Sequence, residues 1–322
     1  MNSPPSLKVE NLRTHFKLSR PHPFAEQPTV YAVDGVSFEI ERGRTFGLVG
    51  ESGCGKSTTA LSILRLVEPT SGSVILKETD VCRLNQKDLR RYRKHMQIIF
   101  QDPYSSMNPR ATAGEIIRSP LKILKIGTSQ EQNERVGELL NLVGLRPEQR
   151  NLYPHQFSGG HRQRICVARA LAPSPDFIVC DEPVSALDVA IQSQVLNLLV
   201  RLQREFNLTY LFISHDMAVV QHICDDIAVM YLGKIVEKTD RRSLFLNVKH
   251  PYTKALLSAV PTTDIENKPQ SAPLKGDVPS PMDPPSGCHF HTRCPLAEAR
   301  CLEEEPLLQE ILPNHWVACH LA

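Results

Sequence analysis

"GESGCGKST", residues Gly50–Thr58, fits the pattern Gly-x-x-x-x-Gly-Lys-Ser/Thr and follows directly on "TFGLVG", an apolar run that reads as a strand. The spacing has a chemical reason. Gly50, Gly53 and Gly55 let successive backbone N–H groups, from Ser52 and Cys54 through to Thr58, turn inward on phosphate oxygens. Lys56 neutralises the β/γ oxygens, and the Ser57 hydroxyl is placed to coordinate Mg²⁺. The competing reading, a glycine-rich turn with a chance lysine, does not explain a strand before and a helix after. That helix is expected from Gly55 to about Leu66, stopped by Pro69. The stretch implies a nucleoside-triphosphate site.

Outward from this loop, "VYAVDGVSFEI", "GSVILK", "MQIIFQ", "PDFIVCDE", "LTYLFISHD" and "DIAVMYLGKIVEK" read as strands. The run "VAIQSQVLNLLVRLQREF" and the region from about Ala111 to Tyr153 are helical in pattern. Strands alternating with helices argue for an α/β core with a largely parallel sheet, carrying a mostly helical insert. No internal repeat is visible.

"FIVCDEP", Phe177–Pro183, is a mainly apolar run that ends in two carboxylates. A buried strand would deliver Asp181 to Mg²⁺ and leave Glu182 to polarise the attacking water as general base. An acidic pair after a strand often only caps a helix; downstream of a phosphate loop the catalytic reading takes precedence. His215, in "FISHD", closes another strand 33 positions after Glu182, at the edge where ligands bind in parallel sheets. Gln101 closes "MQIIFQ" on the same edge, within reach of metal or water. A second phosphate-facing stretch, "FSGGHRQR" (Phe157–Arg164), opens what reads as a basic helix with a Ser and two glycines at its N-terminus.

The 322 residues suffice for one large core and an appendage, or for two domains. A formal net charge of +2 gives no basic stripe or tail, which speaks against a nucleic-acid partner. No run of 18 apolar residues is present to span a bilayer, and "MNSPPSLKVE" lacks a signal-peptide pattern. The expectation is a cytosolic chain that reaches a membrane only by docking on something that spans it.

Six stretches, "GESGCGKST", "IIFQDPYSSMNP", "FSGGHRQR", "FIVCDEP", "SALD" and "FISHD", stand in the order seen in ATP-binding cassette (ABC) transporter ATPases, over about residues 6 to 240. The resemblance implies a P-loop cassette with a RecA-like core, an antiparallel β subdomain and a helical subdomain at about 102–160. It also implies head-to-tail pairing with a second, homologous ATPase subunit. Ser158, Gly159, Gly160 and His161 would then face the γ-phosphate of the partner's ATP, which explains why two phosphate loops lie far apart. Carried over, Asp181 and Gln101 serve Mg²⁺, Glu182 is the base, His215 senses the γ-phosphate, and Asp188 communicates across the dimer. The adenine would stack on Phe16, with Tyr31 as second choice. The family usually has Gln where this chain has His161; either the site works unchanged or it marks the less active of two ATP sites.

"HPYTKALLSAVP" (His250–Pro261) and "GDVPSPMDPPSGCHFHTRC" (Gly276–Cys294) resemble the C-terminal extension of dipeptide/oligopeptide importer ATPases, a layout shared by nickel and glutathione importers. That likeness implies two membrane-spanning permeases, an external or periplasmic substrate-binding protein, and a peripheral place on the cytoplasmic face of a bacterial inner membrane. The helical insert would offer the groove for the permease's coupling helix. A soluble, non-transport ABC ATPase is the rival from another class, and a subunit that binds ATP without hydrolysing it is a third. The expected division is 1–260 for the ATP-binding domain and 261–322 for a proline-rich linker with a small, irregular, cysteine-rich extension.

Of nine cysteines, Cys54, Cys82, Cys166, Cys180 and Cys224 sit in apolar or helical contexts and read as small buried residues. Cys288, Cys294, Cys301 and Cys319 are separated by five, six and seventeen residues in a polar, loop-like setting. Four thiolates suit zinc or an iron–sulfur cluster as a structural staple, and the spacing leaves the metal open. The family resemblance implies [4Fe-4S]; with Zn²⁺, His289, His291 and His320 are substitute ligands.

Overall fold

Thr45–Val49 is buried at every position, a run of small and apolar side chains suited to a strand covered on both faces. It stops at Gly50, whose φ of 152° begins the turn into the phosphate loop. The computed structural model describes residues 6–20, 27–259 and 276–322. The expected boundary at Pro261 and the start of the proline-rich linker therefore lie outside the described residues.

In chain order the strands are β1 (Leu7–Lys17), β2 (Thr29–Ile40), β3 (Thr45–Val49), β4 (Ser71–Leu76), β5 (Thr79–Asp80), β6 (Met96–Ile99), β7 (Phe177–Asp181), β8 (Thr209–Ser214), β9 (Asp226–Tyr231), β10 (Lys234–Asp240), β11 (Gln309–Leu312) and β12 (His315–Val317). The α-helices are α1 (Lys56–Ile63), α2 (Gln86–Tyr92), α3 (Ala113–Leu124), α4 (Ser129–Leu142), α5 (Gly159–Leu171), α6 (Val189–Phe206), α7 (Met217–Ile223), α8 (Arg241–Leu246), α9 (Pro251–Ser258) and α10 (Ala299–Glu303).

The chain divides into two units, one built from Glu41–Arg44 and Arg83–Phe212, the other from Leu7–Ile40, Thr45–Cys82 and the chain from Ile213 on. In the first, β6 and β7 run parallel with Met96 opposite Phe177 and Ile99 opposite Cys180. Helices α3 and α4 each begin in a capping box, Thr112 with Glu115 and Thr128 with Glu131. These boxes satisfy the first free N–H groups of each helix and set where it starts. Phe177, Val179, Cys180, Ile165, Leu139 and Leu199 are fully buried and form the core of this unit.

In the second unit, β1 is the middle strand of an antiparallel sheet, flanked by β2 and β4, with β5 beyond β4. Here β3 pairs parallel to β9, β9 turns back antiparallel into β10, and β12 and β11 continue from β10. The described part of the C-terminal extension is thus less irregular than expected. Its attachment is polar. The carboxylate of Glu237, with no exposure, accepts N–H groups from Lys249 at 2.8 Å and His250 at 3.0 Å, and the Nε2 of buried His315 at 2.7 Å. Burial holds the His250 imidazole neutral, its pKa pushed down to about 3.

Three local expectations change. The helix after the phosphate loop ends at Ile63, because Arg65 takes the left-handed φ of 47° and turns its N–H onto the Ser62 carbonyl, three residues back. The helical stretch from about Ala111 to Tyr153 is two α-helices separated at Lys125, also left-handed. Strand β1 is not singled out by its sequence, which carries charged residues on its exposed positions. Of the five scattered cysteines, Cys54, Cys166, Cys180 and Cys224 are buried and Cys82 is half-buried.

His315→Ala is expected to lower stability by about 1–3 kcal/mol, since it removes one of three hydrogen-bond donors to a buried carboxylate. Urea unfolding measures it, and a loss below ~1 kcal/mol would contradict the buried-node reading.

Candidate nucleotide site

The phosphate loop lies wholly in the second unit. Gly50, Gly53 and Gly55 have φ of 152°, 80° and 108°, values that L side chains rarely adopt. A Cβ on Gly50 would collide with the Met230 carbonyl, and one on Gly55 with the Ala32 carbonyl. Around Gly53 nothing lies within 4 Å. Two of the glycines are therefore demanded by packing as well as by backbone angle, the third by angle alone.

Lys56, only 5% exposed, donates from Nζ to the Gly50 carbonyl at 2.7 Å and the Glu51 carbonyl at 2.8 Å. The ammonium is thus held against its own loop by two backbone carbonyls. Burial pushes the Cys54 thiol up, against the opposing pull of Lys56, so this cysteine stays a neutral packing residue. Ser57 and Thr58 fall in the first turn of α1, and Ser52 is exposed at the loop's tip. His215 follows β8 directly and is exposed. Phe16 and Tyr31, the aromatic candidates for adenine, occupy neighbouring rungs of the β1–β2 ladder and are 39% and 38% exposed. Tyr31 also packs edge-on to His15 with ring centroids 4.8 Å apart.

The acidic pair and the Ser-Gly-Gly segment belong to the first unit. Asp181 ends the buried strand β7 at 8% exposure. Glu182 takes a left-handed φ of 46°, unusual for a residue with a Cβ and a kind of strain that gathers at functional turns. Its Oε2 accepts a hydrogen bond of 2.9 Å from the Gln101 side-chain amide. The structure thus brings together two residues that the sequence places 81 positions apart. Gln101 itself lies two residues beyond β6, which ends at Ile99.

Ser158 is the N-cap of α5, and its hydroxyl shares a 2.9 Å hydrogen bond with His161 Nδ1 and accepts the His161 backbone N–H at 3.4 Å. Ser158, Gly159 and His161 are exposed, whereas Gly160 is buried, and a Cβ added to it would meet Ile191 Cγ2 at 2.5 Å. The two glycines and the serine form an open helix N-terminus whose N–H groups favour an anion. Asp188 stands at the N-cap position of α6 without a side-chain capping bond and is exposed.

At the C-terminal end, burial pushes the Cys288 thiol up to about 11, with Cys301, Cys319 and Cys294 adding repulsion. Burial also raises Cys294 and Cys319, which feel Cys301 in the same way. Backbone N–H groups of Phe290, Leu296 and Leu321 donate to the thiols of Cys288, Cys294 and Cys319. Among the described residues, however, no three His, Cys, Asp or Glu side chains are arranged to hold a metal ion. The thiols of Cys288, Cys294, Cys301 and Cys319 lie within electrostatic reach of one another. His291 and His320 each commit one ring nitrogen to a backbone carbonyl, of Cys288 and Glu304, both at 2.9 Å.

Sequence reasoning missed three residues around the phosphate loop. The Glu51 N–H donates to the Tyr252 hydroxyl at 2.9 Å, and the Arg293 guanidinium pairs with the Glu51 carboxylate at 2.7 and 3.0 Å. No local pattern signals contacts 201 and 242 positions apart.

Known proteins share this architecture. A solved dimeric ATP-binding cassette in a post-hydrolysis state, bound to ADP and Pi, matches 73% of this chain and 99% of its own, at 29% identity and a TM-score of 0.65. The family model "ABC transporter" matches residues 33–185 and "Oligopeptide/dipeptide transporter, C-terminal region" matches 236–301. Fold and loops together make this an ABC-type ATP-binding cassette. The oligopeptide transport ATP-binding protein AppF of Bacillus subtilis is 54% identical over 91% of this chain and 90% of its own. A putative peptide import ATP-binding protein of Brucella ovis is 50% identical over 99% and 98%. The chain belongs to the family of oligopeptide/dipeptide transport ATP-binding proteins.

The loop geometry separates two glycines by experiment. Gly53→Ala costs only left-handed strain, about 1–2 kcal/mol. Gly55→Ala adds a collision with the Ala32 carbonyl, so its thermal midpoint is expected to fall further; the reverse order would contradict the packing.

Proposed function

We propose that this chain is the ATP-hydrolysing subunit of an ABC importer that powers uptake of di- or oligopeptides. The observation that carries the proposal is one chain holding both a complete phosphate loop and the transporter C-terminal region matched over 236–301. The names of relatives near 50% identity over almost the whole chain support peptides as cargo.

In this reading the amides of Gly50–Thr58 and Lys56 hold the ATP phosphates. Ser57, Asp181 and Gln101 would each offer an oxygen donor to Mg²⁺, a hard cation that prefers oxygen ligands. When bound, Mg²⁺ neutralises charge on the β- and γ-phosphate oxygens. Glu182 is the general base, and its hydrogen bond from Gln101 holds the carboxylate in one orientation. His215 senses the γ-phosphate, and Phe16 or Tyr31 stacks on adenine. Ser158, Gly159, Gly160 and His161 serve ATP bound by a second, homologous ATPase subunit, with Asp188 signalling across that dimer. Closure of the dimer on ATP then drives two permeases, which receive substrate from a binding protein outside. Among the described residues no helix is long and apolar enough to cross a membrane, in keeping with a subunit docked on the cytoplasmic face. The division at 260/261 belongs to the same reading, with the helical region 102–160 facing the permeases.

The proposal extends to the four late cysteines as a structural staple that would close on [4Fe-4S] or Zn²⁺. Its support is their mutual electrostatic reach and their three N–H donors. Iron, sulfide and zinc analysis of anaerobically purified chain tests it. Stoichiometric iron with a visible band that bleaches on reduction is expected; folded, metal-free protein overturns it.

Glu182→Gln is expected to retain ATP binding and lower turnover of the assembled complex by at least ~100-fold. Equal rates in both would sink the catalytic reading. In cells, Lys56→Ala should abolish uptake of labelled peptide. Loss of nickel or glutathione uptake with peptides unaffected would keep the ATPase and overturn the cargo.

A further inference from the structure

Glu51, the second residue of the phosphate loop, is held at every polar group it owns. Its N–H is taken by Tyr252, its carbonyl by Lys56, and its carboxylate by both terminal nitrogens of Arg293. Tyr252 and Arg293 both come from C-terminal stretches, "HPYTKALLSAVP" and "GCHFHTRC", for which the hydrolysis reading has no use.

These two residues are themselves firmly placed. Tyr252 is fully buried near the start of α9, where His250 caps the helix by accepting the Tyr252 N–H at 3.1 Å. Phe290, 2% exposed, meets Tyr252, Tyr231 and His250 with ring centroids 5.4, 5.3 and 5.7 Å apart. Three residues later the Arg293 side chain, 6% exposed, emerges with its guanidinium 5.9 Å from the Tyr231 ring centroid. The planar fork of arginine matches a carboxylate in two parallel hydrogen bonds, so it fixes orientation as well as distance. A tyrosine hydroxyl on a rigid ring fixes the preceding peptide.

A glycine-rich loop loses much freedom when it closes on a ligand, and a loop already held in its bound shape binds more tightly. We propose that the C-terminal region braces the phosphate loop, with Tyr252 and Arg293 as positioning residues for ATP acting through Glu51. The inference deepens the nucleotide-site reading given above and rests on it. It also assigns a task to the C-terminal region within this chain, separate from any partner or metal.

The test uses the full-length chain. ATP affinity by calorimetry and thermal midpoint, with KM and kcat in the assembled complex, are measured for wild type, Arg293→Gln, Arg293→Lys, Tyr252→Phe, Glu51→Gln and the Glu51→Gln/Arg293→Gln double variant. Arg293→Gln is expected to weaken ATP binding and raise KM by about tenfold, with kcat within about twofold. Arg293→Lys, which keeps charge and loses the fork, should fall between. The double variant should bind no more weakly than the worse single variant, as a shared contact requires. Unchanged ATP affinity in Arg293→Gln and Tyr252→Phe, whatever their thermal midpoints, overturns the brace and leaves a merely structural contact. Additive losses overturn it as well. Absence of ATP binding in the wild type overturns the nucleotide reading itself, and the brace with it.

Discussion

The constraint on which the nucleotide-binding unit depends is the shape of nine residues, Gly50–Thr58. Three glycines at positive φ let the backbone turn back on itself, and two of them are pressed against the carbonyls of Met230 and Ala32. Those carbonyls belong to β9 and β2. The loop can hold its form only if both strands are in place, so the parallel pairing of β3 with β9 and the antiparallel β2 are conditions of the site as much as its surroundings. Backbone carbonyls cannot rotate out of the way as a side chain can, which makes this fit intolerant of added atoms.

In the other unit the decisive feature is strain. Glu182 sits in the left-handed region immediately after a strand buried at all five positions. A carboxylate that merely capped a helix would not need that conformation. The turn aims the side chain at Gln101 instead of into a helix start, and the hydrogen bond between them limits its rotamers. The Ser158 hydroxyl is likewise shared with His161, so a residue that departs from the family's usual glutamine still contacts the serine next to the two glycines. Both arrangements order a polar group before any ligand arrives, the condition under which electrostatic stabilisation is most effective.

The C-terminal region is attached largely by polar nodes. Glu237 gathers two backbone N–H groups and an imidazole in a site without exposure, and Phe290 supplies a large apolar anchor beside the loop. Buried polar nodes of this kind are specific because each partner left unpaired is costly. That specificity is what carries Arg293 to a carboxylate 242 positions away.

The sequence by itself determined whatever depends on local spacing. The phosphate loop, the acidic pair, the Ser-Gly-Gly helix start and the bounds of α6 can all be read from short runs, because glycine angles, strand burial and helix period act between near neighbours. β1 was hidden because an irregularity at Glu10–Asn11 puts two exposed residues in a row and breaks the alternation, and α1 ended early at a left-handed residue that no propensity announces. Only the tertiary structure decided that Gln101 meets Glu182, that His161 meets Ser158, and that Glu51 is held by Tyr252 and Arg293. It decided too that the four late thiols, up to 31 positions apart, lie within electrostatic reach of one another. Such contacts are set by how strands and helices stack, and stacking joins residues whose separation along the chain carries no trace of their meeting.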